Sequence, residues 1–152
     1  MSAHLNFFGH EIIHLVLTAL VAIFLFWRFR DFRLIFASFV FGIFIDVDHW
    51  FDYFSYFGLG VNLSNFFDVG SYMEPAGKIY VLLHGWEFVI LSWLLGKGIG
   101  RKLKIDGLEW AISLSYLGHL LWDSFAVPAP FWAYSFIYRL LSNFSLEGFN
   151  GI

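Results

Sequence analysis

Four short clusters of histidine and carboxylate residues interrupt an otherwise apolar chain of 152 residues. Each cluster lies near one end of a long apolar segment, and the four are His10-Glu11-Ile12-Ile13-His14, Asp46-Val47-Asp48-His49, His84-Gly85-Trp86-Glu87 and Gly118-His119-Leu120-Leu121-Trp122-Asp123. Imidazole and carboxylate together bind zinc, manganese or iron in hydrolytic centres. Because the chain has no cysteine, a metal site in it must use these two kinds of side chain.

The composition predicts an integral membrane protein. Hydrophobic residues make up 59% of the chain and charged residues 14%, whereas a soluble domain has about 25% charged residues. Four apolar segments come close to the roughly 20 helical residues that cross a bilayer, and they are residues 9–27, 34–53, 79–96 and 108–125. We predict an all-α fold, a four-helix transmembrane bundle that forms a single domain over residues 1–152. Nothing in the sequence resembles a nucleic-acid-binding motif.

The basic residues orient the predicted bundle. Seven of the nine lie in two short stretches, residues 28–33 and 97–104. Basic loops stay on the cytoplasmic side of a cell membrane, so both chain termini are expected to be extracytoplasmic. At a rise of 1.5 Å per residue, each polar cluster lies about 20 Å from the basic stretch that bounds its span. The four clusters are therefore expected at one depth, near the extracytoplasmic face.

Spacing within the clusters supports a shared site. Residues three or four apart lie on the same face of a helix, and such pairs are His10/His14, Asp46/His49, His84/Glu87 and His119/Asp123. Asp48 is the exception, about half a turn from Asp46 on an ideal helix. Either the helix ends near there, or Asp48 supports a ligand. We predict a metal site, with ligands His14, Asp46, Asp48, His84, His119 and Asp123 and further candidates His10 and His49.

The first cluster also matches the H-E-x-x-H motif. In that motif two histidines bind zinc on one helix face and the glutamate is the general base. One alternative is therefore an intramembrane zinc metalloprotease that uses His10, Glu11 and His14. The surplus of ligands on the other three spans instead favours two ions that share a bridging carboxylate, or one ion with many supporting groups.

The order of the motifs resembles the YdjM-like family of predicted membrane-bound metal-dependent hydrolases. The resemblance covers most of the chain and rests on His14-Leu15-Val16-Leu17-Thr18-Ala19, Asp46-Val47-Asp48-His49, His84-Gly85 and Gly118-His119 with Asp123. It implies that these histidines and aspartates bind metal, in an order similar to that of zinc-dependent phospholipase C. Many members have an arginine and a second histidine after the third-span histidine, whereas this chain has Trp86 and Glu87.

The expected activity is hydrolysis of an ester or phosphoester, in a membrane lipid, at the extracytoplasmic face. The cofactor would be one or two divalent ions, zinc first and manganese or iron as alternatives, and Glu11 or Glu87 would be the general base. The remaining alternatives are a metal-ion transporter and a non-catalytic protein that is stapled by metal.

Two segments outside the spans complete the expectations. Residues 55–78 are predicted to form an interfacial lid over the site, and residues 129–142 an interfacial amphipathic helix. In that helix, Arg139 is expected to bind the phosphate of a lipid substrate, or else to extend toward the interface. Asp52 is expected to be solvated.

Overall fold

The structure is a computed structural model that describes residues 7–150, and within this range all of its regular elements are helices. The α-helices are α1 (Phe7–Phe29), α2 (Phe32–Ile43), α3 (His49–Phe57), α4 (Leu63–Phe66), α5 (Gly70–Ala76), α6 (Trp86–Leu103), α7 (Leu108–Ala126), α8 (Phe136–Leu141) and α9 (Leu146–Asn150). Two 3₁₀ segments, Phe44–Asp48 and Phe131–Tyr134, connect α2 to α3 and precede α8. The prediction of an all-α fold is confirmed.

Two helical stretches are long and apolar enough to cross a membrane. The first is Gly9–Phe29, and the second is Phe32–Phe57, in which α2, the 3₁₀ segment and α3 follow one another without a break. They coincide with the first two predicted spans. Asp31 separates them and begins α2, because its side chain accepts a hydrogen bond from the backbone N–H of Arg33 at 2.9 Å.

The third predicted segment begins later than expected. Helix α6 starts at Trp86, so the prediction of helix from residue 79 is wrong for residues 79–85. Val81 has a positive φ of 32°, which a regular helix does not allow. At its other end α6 continues through the basic stretch to Leu103, where Arg101 and Lys102 suit the negative end of the helix dipole. Helix α7 matches the fourth predicted segment within one residue.

Helix α7 is the central helix of the bundle and packs against α1, α2 and α6. A glycine allows α6 and α7 to pack closely, because a Cβ on Gly96 of α6 would lie 2.7 Å from the Cα of Glu109 on α7. One apolar core cluster lies at the end of the bundle where the basic residues are, and it includes Leu25, Leu34, Ile105 and Leu108. The other lies at the opposite end and includes Ile45, Tyr53, Tyr72, Tyr116, Leu120 and Tyr134.

Large apolar side chains cover the outside of the bundle, and small polar ones lie inside it. Phe36 on α2 is 74% exposed and Phe125 on α7 is 82% exposed. The buried polar residues of the helices include Thr18, Ser38, Ser92, Ser113 and Ser115. This distribution is the reverse of that in a water-soluble bundle.

The two predicted interfacial segments are packed more closely than expected. Residues 55–78 contain α4 and α5, and Tyr72 of α5 is fully buried in the core. Residues 129–142 do not form a single helix, because Ser135 has an extended backbone conformation and separates the second 3₁₀ segment from α8. The Ser135 hydroxyl accepts from the backbone N–H of Tyr138 and so begins a new helix there.

The contact between α6 and α7 can be tested at its glycines. We expect Gly96→Ala to lower the free energy of unfolding by about 1–3 kcal/mol, because the added methyl group meets the backbone of Glu109. Gly98→Ala is the matched control, since a Cβ there has nothing within 4 Å. It should be neutral or stabilising by up to about 1 kcal/mol. Thermal unfolding in detergent, followed by circular dichroism, measures both; equal losses would contradict the close contact.

Candidate metal centre

Four separate parts of the fold bring histidine and aspartate side chains together at one end of the bundle. Within residues 7–150, closely spaced ligand atoms come from His10, His14, Asp46, His49, His84, His119 and Asp123. Helix α1 supplies the first two, the 3₁₀ segment and the start of α3 the next two, the non-helical segment before α6 supplies His84, and α7 the last two. The sequence predicted five of them as ligands and the other two, His10 and His49, as further candidates. Whether they bind an ion stays a prediction.

The surroundings of His84 and His119 leave one ring nitrogen of each free to bind a cation. His119 Nδ1 donates to the carbonyl oxygen of Gly42 at 2.9 Å, and His84 Nδ1 donates to Asp48 Oδ2 at 3.1 Å. A neutral imidazole carries one proton. Because Nδ1 holds that proton in both rings, both Nε2 atoms have a lone pair. A carboxylate or carbonyl behind a histidine is the usual support of a metal-binding imidazole.

These two Nε2 atoms face two carboxylate oxygens at distances that suit a bound ion. The Nε2 atoms of His84 and His119 are 3.3 Å apart. Each lies 3.2–3.4 Å from Asp46 Oδ1 and from Asp123 Oδ2. Tetrahedral ligands at about 2.0–2.1 Å from zinc are about 3.3–3.4 Å from one another. Four lone-pair atoms this close repel one another unless a cation or protons lie among them.

Asp123 connects this group of four atoms to a second group on α1. Its Oδ1 lies 3.1 Å from His10 Nε2 and 3.1 Å from His14 Nε2. Its Oδ2 faces His84 and His119 instead. The two oxygens of one carboxylate thus point to two different pairs of histidines, which is the arrangement of a bridging ligand. Two metal ions in hydrolytic sites are about 3.5–4 Å apart and share such ligands.

Buried polar atoms without hydrogen-bond partners also support a metal site. Among the residues that the structure describes, Asp46 Oδ2, Asp123 Oδ2 and His14 Nδ1 are buried without a hydrogen-bond partner. A buried polar atom without a partner is costly, and several in one cluster indicate a missing positive charge. The donor set of imidazole and carboxylate fits a divalent ion such as zinc, manganese or iron.

Asp48 has a supporting position. Its Oδ2 accepts from His84 Nδ1 and, at 2.6 Å, from the backbone N–H of Leu83, and it belongs to no group of potential ligand atoms among the described residues. A 3₁₀ helix turns by about 120° per residue, so Asp46 and Asp48 point in different directions. They therefore contact opposite nitrogens of the same His84 ring. The predicted role of Asp48 as a ligand is corrected to that of a group that orients His84.

Side chains from other helices hold the non-helical backbone that carries His84. Asp52 accepts from the backbone N–H groups of Tyr80 and Val81 at 2.6 and 2.9 Å, and the Tyr116 hydroxyl donates to the carbonyl of Leu83. Asp52 is 4% exposed, so the expectation of a solvated side chain is wrong. Buried N–H groups that lack a helical partner need such acceptors.

Arg139 completes this support and does not face a lipid. It is 1% exposed and donates to the carbonyl oxygens of His84, Val81 and Ala133 at 2.7–3.0 Å. Burial lowers the pKa of the Arg139 guanidinium, and the nearby carboxylates of Asp48 and Glu87 oppose that shift. The predicted contact with a lipid phosphate is wrong for this position, because the guanidinium is enclosed and both of its terminal nitrogens donate to backbone carbonyl oxygens.

The two candidate general bases have different positions. Glu87 is in the first turn of α6, and its carboxylate reaches the start of α8, where it accepts from Ser135 Oγ and from the backbone N–H groups of Phe136 and Ile137. It therefore caps a helix and is absent from the described groups of potential ligands. Glu11 is half-buried and interacts electrostatically with Asp46 and Asp123. It is the candidate base that lies beside the cluster.

His49 lies at the edge of the cluster. Its Nε2 is 3.6 Å from Asp46 Oδ1, and its side chain is 21% exposed.

Sequence reasoning missed the groups that orient the ligands, which are Gly42, Tyr116 and Trp122. Of these three, only Tyr116 and Trp122 could have been identified from the sequence, because each lies three residues from His119 on α7.

Comparisons of the chain with protein-family models, with curated proteins and with solved structures gave no match. The resemblance to the YdjM-like family therefore stays a prediction that rests on the motifs.

Arg139 allows a test of the support around His84. We expect Arg139→Met to lower the free energy of unfolding by about 3 kcal/mol, because three buried carbonyl oxygens lose their donor. Arg101→Met, at an exposed basic position of α6, should change it by less than about 0.5 kcal/mol. Thermal unfolding in detergent measures both variants. Unchanged stability with weakened lipid binding would instead indicate the contact with a lipid phosphate.

Proposed function

We propose that the protein is a membrane-embedded, metal-dependent hydrolase that cleaves an ester or phosphoester bond in a lipid at the extracytoplasmic face. The observation that carries the proposal is the Asp123 carboxylate, whose two oxygens face two pairs of histidines. A bridged centre of this kind is used to hydrolyse phosphoesters and esters.

The surface of the bundle supports a position in the bilayer. Apolar side chains cover its outside, and lipid is the solvent in which such a surface is stable. The first two stretches could cross the membrane by length and composition. We infer that α6 and α7 cross with them as a four-helix bundle, because α7 packs against α1, α2 and α6 along the same core.

The two basic stretches support the orientation. Arg33 donates to the carbonyl oxygen of Lys104 at 3.2 Å, so both stretches lie at the same end of the bundle. The histidine and aspartate cluster lies at the other end. We infer from the positive-inside rule that the basic end is cytoplasmic, so the metal centre and both termini would be extracytoplasmic.

The residues suggest how the reaction would proceed. One or two divalent ions held by His14, His84, His119, Asp46 and Asp123 would lower the pKa of a water and polarise the ester or phosphoryl oxygen, provided that these residues leave one coordination position open for the water. Glu11 would accept the proton of the attacking water. Zinc is the preferred ion because the ligand distances suit its tetrahedral geometry; manganese and iron are the alternatives.

Two other functions remain as alternatives. The group His10, His14 and Asp123 would favour an intramembrane zinc protease. A metal-ion transporter would need ionisable groups through the whole membrane thickness. Near the basic end the buried polar residues of α2, α6 and α7 are serines, such as Ser38, Ser92 and Ser113. A metal-stapled protein without activity would bind the ion and hydrolyse nothing.

Metal content tests the centre directly. We expect the purified protein in detergent to contain one or two equivalents of zinc by elemental analysis. Asp123→Asn should lose at least one equivalent, because it removes the charge that both pairs of histidines face. Asp106→Asn, an exposed carboxylate at the basic end, is the matched control and should keep the wild-type content. Full metal content in Asp123→Asn would refute the bridging role.

Glu11 tests the chemistry separately from metal binding. We expect Glu11→Gln to lower hydrolysis of phospholipids and simple lipid esters at least 100-fold while zinc content stays unchanged, because the amide cannot accept a proton. Glu87→Gln should keep most of the activity, since its carboxylate caps α8. The assay uses a lipid panel with and without chelator, alongside an unfolded transmembrane peptide. Cleavage of the peptide alone would favour the protease.

A further inference from the structure

The contact between Trp122 and His10 fixes which nitrogen of His10 carries a proton. Trp122 Nε1 donates to His10 Nδ1 at 3.1 Å. An indole N–H can only donate, so His10 Nδ1 must be the acceptor. A neutral His10 ring then carries its single proton on Nε2. Two acceptors lie within reach of that proton, Asp123 Oδ1 at 3.1 Å and His14 Nε2 at 3.0 Å. If the lone pair of His14 Nε2 binds the ion, Asp123 Oδ1 is the acceptor that remains.

His84 and His119 have the opposite arrangement. Their Nδ1 atoms donate to Asp48 and to the Gly42 carbonyl, so in the neutral rings the Nε2 atoms have lone pairs toward the cluster. His10 could offer a lone pair at Nε2 only by moving its proton to Nδ1, where it would face the indole hydrogen of Trp122. The hydrogen bond at Nδ1 therefore distinguishes His10, whose Nε2 is a donor toward the cluster, from His84 and His119, whose Nε2 atoms can bind an ion.

We infer that His10 is not a metal ligand and that it positions the bridging carboxylate by donating its Nε2 hydrogen to Asp123. The inference rests on the proposed metal centre and changes its ligand set to His14, His84, His119, Asp46 and Asp123. His14 stays a ligand because, among residues 7–150, its Nδ1 has no partner that would fix its proton. The H-E-x-x-H sequence is then not a zinc-protease motif, since only its second histidine would bind the ion.

The exposure of the two histidines on α1 agrees with this division. The side chain of His10 is 23% exposed and that of His14 is 1% exposed. His14 also stacks on the ring of His119, with the centroids 3.8 Å apart. His14 thus belongs to the buried floor of the cluster, whereas His10 lies at its rim, next to Glu11.

The protonated nitrogen can be observed directly. The full chain, labelled with ¹⁵N-histidine in detergent micelles, is measured by long-range ¹H–¹⁵N NMR before and after addition of zinc, with His10→Gln used to assign the His10 signals. We expect His10 to keep a protonated Nε2 in both states, while zinc shifts the Nε2 signals of His84 and His119. Loss of the His10 Nε2 proton on zinc addition would overturn the inference.

A matched pair of substitutions gives a second readout. A glutamine amide can replace an Nε2 hydrogen-bond donor but not an imidazole lone pair. In zinc titrations against a competing chelator, His10→Gln should stay within about threefold of the wild-type affinity, and His10→Ala should lose about 10–100-fold, as for other groups behind a ligand. His119→Gln should lose more than 100-fold. An equal loss in both glutamine variants would refute the inference.

The same experiments separate this inference from the proposed function. If the wild-type chain bound no zinc, the metal centre would be refuted. The NMR measurement on the metal-free protein would still test the Trp122 contact, because that contact predicts an Nε2 proton without any ion. If zinc bound and the lipid panel showed no hydrolysis, the function would fail while the assignment of His10 stood on the affinities.

Discussion

The Asp123 carboxylate is the group on which the candidate site depends. Four imidazole nitrogens lie within 3.4 Å of its oxygens. Two of them come from α1, one from the segment that precedes α6, and one from α7. A carboxylate buried this deeply is costly unless opposite charge or donors surround it. The two histidines that face Oδ2 offer lone pairs, so they cannot satisfy it while neutral. The cluster therefore needs a cation or added protons, and a divalent ion supplies more charge in less space.

The ligands can meet because the chain is not helical where His84 lies. A break in a helix inside a bundle exposes backbone N–H and carbonyl groups that water does not reach. Here Asp48, Asp52, Tyr116 and Arg139 bind those groups. Two of these side chains are acids and one is a base, so their charges also offset one another in the buried region. The break is thus a stable part of the fold, and it turns His84 toward α7.

Much of the site could be predicted from the sequence, because helical periodicity and rise depend only on spacing. The i,i+4 pairs on α1 and α7 and the common depth of the clusters were enough to bring together His14, Asp46, His84, His119 and Asp123. The roles of Arg139, Glu87 and Asp52 could not be predicted. Their partners are backbone groups distant in the sequence, and no local pattern shows that residues 79–85 or Ser135 would interrupt a helix. Amphipathic patterns indicate which face is apolar, but they do not show which polar side chain is enclosed.

The supporting groups and the ligands should therefore respond differently to substitution. A ligand such as His119 would contact the ion as well as the carbonyl of Gly42, so its loss would remove an attraction that matters mainly when metal is bound. A supporting residue such as Arg139 binds the backbone and not the candidate ion, so its loss weakens the fold first and the metal site as a consequence. Without a cation or added protons the ligands oppose folding, because their lone pairs and negative charges are held together. A bound metal would therefore contribute to the stability of the folded bundle, whereas the cluster without a cation is a cost that the rest of the fold must offset.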